Sequence, residues 1–397
     1  MSASPIHSPR EPAGVAPRPG WFLPFDPLLA LATIGLAVCS LVVLNAATRD
    51  DIPGQPHYYL ERQGGYFLVG AVLMGLLIRL DYSRLRELRL GLYGVLMGSI
   101  VLVLLLGSVS RGSQRAISLP FFSFQASELG KVLLISSLAG FMVNRSRRMS
   151  DRQTTAQVML LALIPAFFVM AQPDLGSGLV YVVVALAILF VAGTSWRQLT
   201  GLLALAVASL SLVLVAAPAA GVTVLKPYQV DRLTAFLHPS DNPRKQGYQQ
   251  IQSKIAIGAG QKTGRGAQAT QTKLNFLPEH HTDFIFAVVG EQWGFVGAAL
   301  ILSLYALLIW RALRILTMAK NLYGALVAGG VVAMLMFQIF VNVGMTVGIM
   351  PITGVTLPLL SYGGSSVLST MLAIGLLQSI YAQGRAAAAV KAATSRW

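Results

Sequence analysis

The segment NFLPEHHTDFIFAVVGEQWG, residues 275–294, places carboxylates beside a run of apolar residues. Desolvation at a membrane–water boundary raises the pKa of a carboxylic acid toward the range that suits a general base. Asp283, directly before the apolar run, is therefore a candidate catalytic base, and Glu291 is a candidate member of the same cavity. The alternative interpretation is that Asp283 caps the amino end of the helix that follows it.

Two adjacent histidines, His280 and His281, precede this aspartate. Neighbouring residues do not share a face of a helix, and no HExxH spacing accompanies these two. The sequence therefore argues against a metal site at these histidines.

A second group of charged residues lies in RGSQRAISLPFFSFQASELGK, residues 111–131. Glu128 and Lys131 are three residues apart, so they can pair on one face of a helix. Charges inside membrane spans usually face an interior cavity, which predicts the wall of a binding site. An ion pair that only locks two helices together is the alternative. Arg111 and Arg115 lie just outside this helix and are candidates for contacts with an anion.

Two irregular segments, AQPDLGSG at 171–178 and VGIMPITGVTLPLLSYGGSS at 347–366, complete the set of candidate site elements. Asp174 either caps the helix that follows it or joins a carboxylate cluster that binds a divalent cation. Irregular backbone at membrane depth is tolerated where it is buried in protein or lines a cavity. The second segment, with Ser361, is therefore predicted to line the site, and a plain connecting loop is the alternative.

The composition places these groups in a membrane protein. Of 397 residues, 55% are hydrophobic and only 11% are charged, whereas soluble domains have about 25% charged residues. The net charge of +15 is therefore attributed to the loops of a membrane protein, and no nucleic-acid partner is predicted. Cys39, the single cysteine, excludes a disulfide framework and a cysteine metal site.

Stretches of about 20 mostly apolar residues are long enough to span a bilayer. We predict an all-α polytopic membrane protein whose ten transmembrane helices lie at residues 26–47, 65–80, 91–108, 127–143, 156–172, 177–194, 199–218, 284–310, 323–345 and 365–383.

Lys and Arg residues are concentrated in alternate connections between these spans, and cytoplasmic connections carry the excess of such residues. The distribution predicts that both chain termini are cytoplasmic. The chain then divides into a disordered tail at 1–25, a ten-helix domain at 26–383 and a short tail at 384–397. One long outer loop, 219–283, connects the seventh and eighth spans.

Within that loop, GYQQIQSKIAIGAG predicts a short helix lying on the membrane, with Tyr248, Ile251 and Ile255 on its apolar face. No Walker A motif, Rossmann fingerprint or GxSxG motif is present anywhere in the sequence. Nucleotide binding by a recognised route is therefore not indicated.

An ordered set of motifs resembles the SEDS family (shape, elongation, division and sporulation). The set comprises QASELGK, AQPDLGSG, RxxxF, HPSDNP, GYQQIQSKIAIGAG, GRG, the 275–294 segment and GIMPITGVTLPLLSYGGSS. The similarity covers nearly all of the chain after about residue 25. Within the family, the sequence around GIMPITGVTLPLLSYGGSS is more similar to RodA, the elongation member, than to FtsW, the division member.

The resemblance implies a peptidoglycan glycosyltransferase that polymerises lipid II at the outer face of the bacterial cytoplasmic membrane. It also implies ten transmembrane helices, a class B penicillin-binding protein transpeptidase as partner and further membrane proteins of the elongation complex. The family's essential aspartate corresponds to Asp283. The other motif positions that carry over are Asp174, Glu128, Lys131 and Arg115.

The sequence departs from the family pattern at three positions. Ala116 stands where the family usually has tryptophan, Ala126 where it has proline, and Gln292 where it has glutamate. The resemblance implies that the tryptophan is functionally important, so its absence bears either on that role or on the expected activity of this chain.

The implied reaction requires a base for the acceptor hydroxyl and cations for the leaving pyrophosphate. We expect Asp283 to act as the base and Mg²⁺ or Mn²⁺ to assist, with Asp283 and Asp174 as candidate ligands. Two other classes remain open: a flippase for the same lipid-linked precursor, and a non-catalytic scaffold of the elongation or division complex.

Overall fold

The computed structural model describes residues 25–110, 113–119, 121–219, 229–230, 232, 236, 246–273, 276–277 and 279–394. The tail predicted at 1–25 therefore lies almost wholly outside the described residues, as does a large part of the predicted loop at 219–283.

Eleven helices of 15 or more residues occur in the described part of the chain. They are α1 Pro27–Ala47, α2 Tyr58–Arg79, α3 Arg89–Leu106, α4 Ala126–Asn144, α5 Arg152–Ala171, α6 Leu175–Val191, α7 Trp196–Ser211, α8 Gln246–Gly260, α9 Ile285–Thr317, α10 Leu322–Val347 and α11 Gly364–Thr394. Each of the ten predicted spans coincides with one of these helices, and α8 is the additional one. The predicted all-α polytopic class is confirmed.

Eight described helices are long and apolar enough to cross a membrane. Helix α6 is apolar but has only 17 residues, and α2 carries Glu61 and Arg62 in its first turns. The count of ten transmembrane helices and their orientation stay predictions.

The last helix is longer than the sequence predicts. The predicted span ends at residue 383, whereas α11 continues to Thr394, so most of the predicted tail at 384–397 is helical. The boundary between the span and the tail stays a prediction. The added residues are rich in alanine, which has the highest helix propensity, and residues 385–394 are exposed.

A small antiparallel sheet in the α3–α4 connection is not predicted by the sequence. It comprises β1 Ser108–Ser110, β2 Ser113–Ser118 and β3 Ser123–Phe124, in the order β1-β2-β3. Short polar strands of this kind carry too few alternating positions to be recognised from sequence.

Helices α4, α10 and α11 form the centre of the bundle. In the most apolar stretch of each, 78%, 67% and 83% of the residues are buried, whereas no residue of α7 is buried. Close packing at the centre depends on small residues. At Gly130 of α4, a Cβ atom would overlap the hydroxyl of Tyr181 of α6, which donates to the carbonyl of Ser127 at 3.1 Å.

The predicted short helix is present as α8, and it packs on the protein by a face other than the one predicted to lie on the membrane. Its buried positions are Gly247, Gln250, Ser253, Ala256 and Gly260, whereas Ile255 is exposed. Contact of Tyr248, Ile251 and Ile255 with the membrane stays a prediction. The Ser253 hydroxyl donates to the Thr346 carbonyl at 2.8 Å. The helix therefore lies against α9 and α10 through small and polar residues together with Ile257, which packs against Gly290 of α9.

Long-range contacts divide the molecule into two ends. We call one end the site end; it is where α2, α4, α6, α9 and α11 begin. There Ser40 donates to the Leu360 carbonyl, and Ser365 accepts from the Gln125 amide. At the opposite, basic end, Lys320 pairs with Asp81 at 3.3 Å. The residues singled out for chemistry lie at the site end.

One buried ion pair organises the basic end. Asp26, which is fully buried, accepts from Arg311 of α9 and caps α1 through the amide of Leu29 at 2.9 Å. Its backbone amide donates to Gln378 of α11 at 2.7 Å. The pair therefore joins three helices.

Replacing Arg311 by methionine will destabilise the protein by about 3–5 kcal/mol, because the Asp26 carboxylate stays buried without its cation. The measurement is unfolding of the purified protein in detergent. The matched control is Lys320→Met, which breaks the more exposed pair with Asp81 and should cost less than about 1 kcal/mol. Equal losses for the two variants would contradict the organising role of Asp26.

Candidate functional site

The irregular segment 351–363, between α10 and α11, is held by side-chain bonds to backbone. The fully buried Asn342 donates its amide to the Val355 carbonyl at 2.7 Å and to the Asp283 carbonyl at 2.9 Å. Ser361, also buried, donates its hydroxyl to the Thr282 carbonyl at 2.7 Å and accepts from the Leu357 amide at 2.8 Å. These bonds fasten the segment to the turn that precedes α9.

That turn presents Asp283 at the site end. Helix α9 begins at Ile285 with Phe284 in the cap position, so the alternative in which Asp283 caps the helix is wrong. Asp283 is partly buried. A Cβ atom at Gly354, whose φ is +76°, would lie 3.5 Å from the Asp283 Oδ2 atom. The left-handed backbone favours glycine at this position, and this backbone faces the carboxylate.

Arg232 is a site residue that sequence reasoning missed. The position of a Cβ atom at Gly354 lies 3.7 Å from the Nη2 atom of Arg232. The Nη1 atom of Arg232 donates to the Thr353 carbonyl at 2.9 Å. A guanidinium and the Asp283 carboxylate thus approach the same side of segment 351–363. In the sequence, Arg232 was one of eight cationic residues in a long loop, and only the folded chain distinguishes it.

Glu128 and Lys131 form the predicted ion pair, with Nζ and Oε1 2.6 Å apart. Both side chains are buried at the start of α4, and Oε2 of Glu128 has no hydrogen-bond partner among the described residues. That oxygen is enclosed by protein. The ion pair is present as predicted, while its role in the wall of a binding site stays a prediction.

Asp174 caps α6, as one of the two interpretations predicts. Its Oδ1 accepts from the Ser177 amide at 3.0 Å, while Oδ2 accepts from Ser127 at 2.8 Å and from Gln125 at 3.1 Å. The carboxylate is buried and already accepts three hydrogen bonds. It thus joins the start of α6 to the start of α4.

The start of α6 reaches segment 351–363, and the residues just before α4 reach the first turn of α11. A Cβ atom at Gly176 of α6 would overlap Val355 and approach the Thr353 carbonyl. Ser365, which accepts from the Gln125 amide, also donates to the Ser123 carbonyl at 2.7 Å. The structure therefore gathers Asp283 and the segments that carry Glu128, Lys131 and Asp174 around segment 351–363, while their catalytic and binding roles stay predictions.

Glu291 has a structural contact that the sequence did not reveal. Its carboxylate is fully buried and accepts from the Gln271 amide, the Thr272 amide and the Thr272 hydroxyl at 2.8, 3.0 and 2.6 Å. It thereby anchors the loop to α9. Three positions later α9 is interrupted at Gly294, with φ +61° and ψ −153°. The predicted contact of Glu291 with substrate stays a prediction.

The two arginines predicted to contact an anion, Arg111 and Arg115, are only partly described by the structure. Arg111 lies outside the described residues, and of Arg115 only the backbone, within β2, is described. Ala116, at the position of the family tryptophan, pairs with Ser108 across the sheet and is half-buried. The sheet therefore holds the backbone of Arg115 in β2, which packs against α3.

The predicted divalent cation fits Asp283 better than Asp174. Asp174 is buried with three donors on its carboxylate, whereas Asp283 is partly exposed beside a guanidinium. Mg²⁺ is usually bound by one or two carboxylates together with phosphate oxygens and water. Asp283 alone could hold such an ion on a phosphorylated ligand.

A family model described as a cell cycle protein, covering FtsW, RodA and SpoVE, matches residues 25–386. The chain belongs to the FtsW/RodA/SpoVE family. The resemblance read from the motifs is thereby confirmed, and the chain is a multi-pass membrane protein like its relatives.

Similar proteins include a curated relative and two solved structures. "Peptidoglycan glycosyltransferase MrdB" of Escherichia coli K12 is 38% identical over 359 residues, which are 90% of this chain and 93% of that protein. A structure described as "Structural coordination of polymerization and crosslinking by a peptidoglycan synthase complex" includes a chain that is 33% identical, with a TM-score of 0.77. The match covers 91% of this chain and 99% of that one.

The second structure is the rod shape determining protein RodA of Thermus thermophilus. It is 30% identical, with a TM-score of 0.63, over 91% of this chain and 97% of that chain. The architecture described above is therefore shared across the family.

A double-mutant cycle tests the role of the buried pair. Lys131→Met leaves Glu128 buried without its cation and will destabilise the protein by about 3–5 kcal/mol. Adding Glu128→Gln removes the unpaired charge and should recover most of that loss. Thermal unfolding in detergent gives the four stabilities. If the double variant is as unstable as Lys131→Met, the loss does not come from an uncompensated charge.

Proposed function

We propose that this chain is a peptidoglycan glycosyltransferase that polymerises lipid II at the outer face of the bacterial cytoplasmic membrane during cell elongation. The observation that carries the proposal is the placement of Asp283 beside Gly354 and Arg232, in a turn pinned to α10 and segment 351–363. Family membership supports it, since a relative covered along 93% of its length is named peptidoglycan glycosyltransferase. The name of the RodA relative supports a role in rod shape.

In the proposed reaction, Asp283 acts as a general base. The 4-hydroxyl oxygen of the acceptor sugar attacks the anomeric carbon of the donor, and its proton passes to the Asp283 carboxylate. The bond between that carbon and the pyrophosphate oxygen breaks, and its electron pair leaves with undecaprenyl pyrophosphate. A single displacement converts the α-linked donor into a β-linked product. Proton transfer of this kind typically contributes about 10²–10⁴-fold to the rate.

Cationic side chains would receive the leaving pyrophosphate. Arg232 approaches the same side of Gly354 as Asp283, and Arg115 lies in β2, which pairs with the strand that directly precedes α4. A guanidinium presents several donors in a fixed fork that matches phosphate oxygens. A bound Mg²⁺ or Mn²⁺ ion would supply further neutralisation of the pyrophosphate charge.

A groove of about 600 Å³ beside the turn suits a lipid-linked substrate. Its polar part contains Glu61 and Arg62, and its apolar part contains Val69 and Phe121. Tyr66 also lines the groove, and its ring centroid lies 6.2 Å from the ring centroid of Tyr362, the residue that follows Ser361. The groove therefore offers apolar surface for a lipid tail and polar groups for a head group that enters the site.

A class B penicillin-binding protein transpeptidase, together with other membrane proteins of the elongation complex, is the proposed partner. The support is the solved structure described as a peptidoglycan synthase complex that coordinates polymerisation and crosslinking. One chain of that structure is matched by this protein over 99% of its length, so nearly every part of that chain has a counterpart in this protein.

A flippase for the same precursor is the second candidate, and the placement of buried charges disfavours it. Such a protein needs polar groups along the whole crossing path. Among the described residues, the buried acidic and cationic side chains at the site end are Glu128, Lys131, Asp174 and Glu291, and the basic end has Asp26 in its ion pair. This concentration at one end fits chemistry at one membrane face.

Replacing Asp283 by asparagine will reduce lipid II polymerisation by about 10²–10⁴-fold with little change in stability, because Asn342 binds the backbone carbonyl at this position rather than the carboxylate. The assay uses the purified protein with its class B partner, Mg²⁺ and a β-lactam that blocks the transpeptidase. Glycan strand length is read on a gel.

Wild-type strand formation that persists in the Asp283→Asn variant would remove this residue from the mechanism. Absence of strands from the wild type, in an intact complex with Mg²⁺, would instead favour the flippase or scaffold.

A pair of glycine variants tests whether the backbone of segment 351–363 positions Asp283. Gly354 and Gly54 both have left-handed backbone, with φ of +76° and +82°. Alanine at either position costs about 1–2 kcal/mol of strain, while a Cβ atom at Gly354 would make only ordinary van der Waals contact with Asp283. Relief of the strain at Gly354 shifts the backbone that faces Asp283, so only Gly354→Ala should also slow polymerisation, on the order of 10-fold or more. Equal rates in the two variants would refute this positioning.

A further inference from the structure

Three potential metal ligands meet at the turn that precedes α9, and one of them, Asp51, comes from a distant part of the sequence. Asp51 lies in the α1–α2 connection, and His280 and His281 lie in the turn before α9. One ligand atom from each residue lies within 4.8 Å of the others, and the Nε2 atom of His280 is 3.1 Å from the Oδ2 atom of Asp51. Because the histidines are in a turn rather than on a helix, the argument against a shared helical face does not apply.

The hydrogen bonds of His280 define what can occupy this place. Its Nδ1 atom lies 3.1 Å from the Leu277 carbonyl oxygen. A carbonyl can only accept, so Nδ1 must carry the proton. In the neutral ring, Nε2 then has a lone pair that faces the Asp51 carboxylate, which is also an acceptor. Two acceptors at 3.1 Å require a positive centre between them: either a second proton on the ring or a cation.

The surroundings match those of a metal-binding imidazole. Histidines that bind metals usually donate their other ring nitrogen to a carbonyl or carboxylate, which fixes the tautomer, and His280 does so with Leu277. At metal–ligand distances of about 2.0–2.2 Å, two ligands of one ion lie roughly 3–3.5 Å apart, which is the separation of His280 and Asp51. The third ligand has to approach by about 1 Å to complete the site.

The site is shielded but reachable. The side chains of His280 and Asp51 are 6% and 13% exposed. The His281 ring is held between Tyr59 and Tyr362, at centroid distances of 4.8 and 6.0 Å, so its orientation is defined before an ion binds.

We propose that Asp51, His280 and His281 bind one first-row transition-metal ion, with Zn²⁺ as the best match. Two imidazoles and one carboxylate suit Zn²⁺ and its neighbours in the series, whereas Mg²⁺ prefers oxygen ligands alone. Solvent completes the coordination. The ion fastens the α1–α2 connection to the turn that carries Asp283, so it positions the base without touching the substrate. The inference does not depend on the proposed reaction.

The experiment measures metal binding by the full-length protein in detergent, without a polyhistidine tag. The protein is stripped with a chelator, and the probes are Zn²⁺ followed by isothermal titration calorimetry, and Co²⁺ followed by its visible absorption. The variants are His280→Gln and Asp51→Asn. Matched controls are His57→Gln and Asp50→Asn, which change exposed residues of the same types in the same connection.

We expect one Zn²⁺ per chain, Co²⁺ absorption typical of low coordination number, and a higher thermal unfolding midpoint with Zn²⁺. Loss of either ligand should weaken binding on the order of 100-fold, while both controls bind as the wild type does. A ligand variant that has the unfolding midpoint of the chelator-treated wild type excludes misfolding as the cause.

Absence of stoichiometric binding by the wild type would overturn the proposal, and the pair would then be an imidazolium–carboxylate salt bridge. Binding that is unchanged in both ligand variants would overturn it too, since the ion would have to sit elsewhere. Neither outcome bears on polymerisation, which is tested separately at Asp283.

Discussion

One buried amide group, that of Asn342, donates to two carbonyl oxygens, and the site end of the molecule depends on this arrangement. The two acceptors, Asp283 and Val355, belong to different irregular segments. Backbone outside helices must still find hydrogen-bond partners at membrane depth, because no water is there to supply them. Asn342 and Ser361 provide those partners. They let the chain present the Asp283 carboxylate on a turn just before a helix.

The acidic residues at the site end differ in function because their environments differ. Asp174 and Glu291 are buried with three hydrogen-bond donors each, and they connect elements of the fold. Glu128 is buried with one oxygen paired to Lys131 and the other without a partner among the described residues. Asp283 is partly exposed beside a guanidinium. A carboxylate that must accept a proton or bind a cation needs this accessibility. The carboxylates of Asp174, Glu291 and Glu128 are instead buried in structural contacts.

The architecture separates rigidity from chemistry. The central helices α4, α10 and α11 are largely buried and carry the residues that pin the irregular segments. The segments themselves, together with the small sheet, lie at one end. The proposed reaction is placed at this end, since the head groups of its lipid-linked substrates would stay at the membrane surface and their tails in the bilayer. The two solved structures described above share the fold.

The sequence by itself determined the class of the protein, its helices and the neighbourhood of the site. Hydropathy over about 20 residues is a local property, so the spans were predictable, and motif order identified the family. The ends of the helices were less predictable, since α11 continues beyond the predicted span. The three short strands and the interruption of α9 at Gly294 were not predicted.

Tertiary structure decided which polar residue does what. That Asp283 precedes the cap, that Glu291 anchors a loop, that α8 packs through Ser253, and that Arg232 and Asp51 join the site all depend on contacts between residues far apart in the chain. Ser361 and Thr282, for instance, are 79 positions apart. A hydrogen bond at such a separation depends on how helices pack, and no periodicity in the sequence records it.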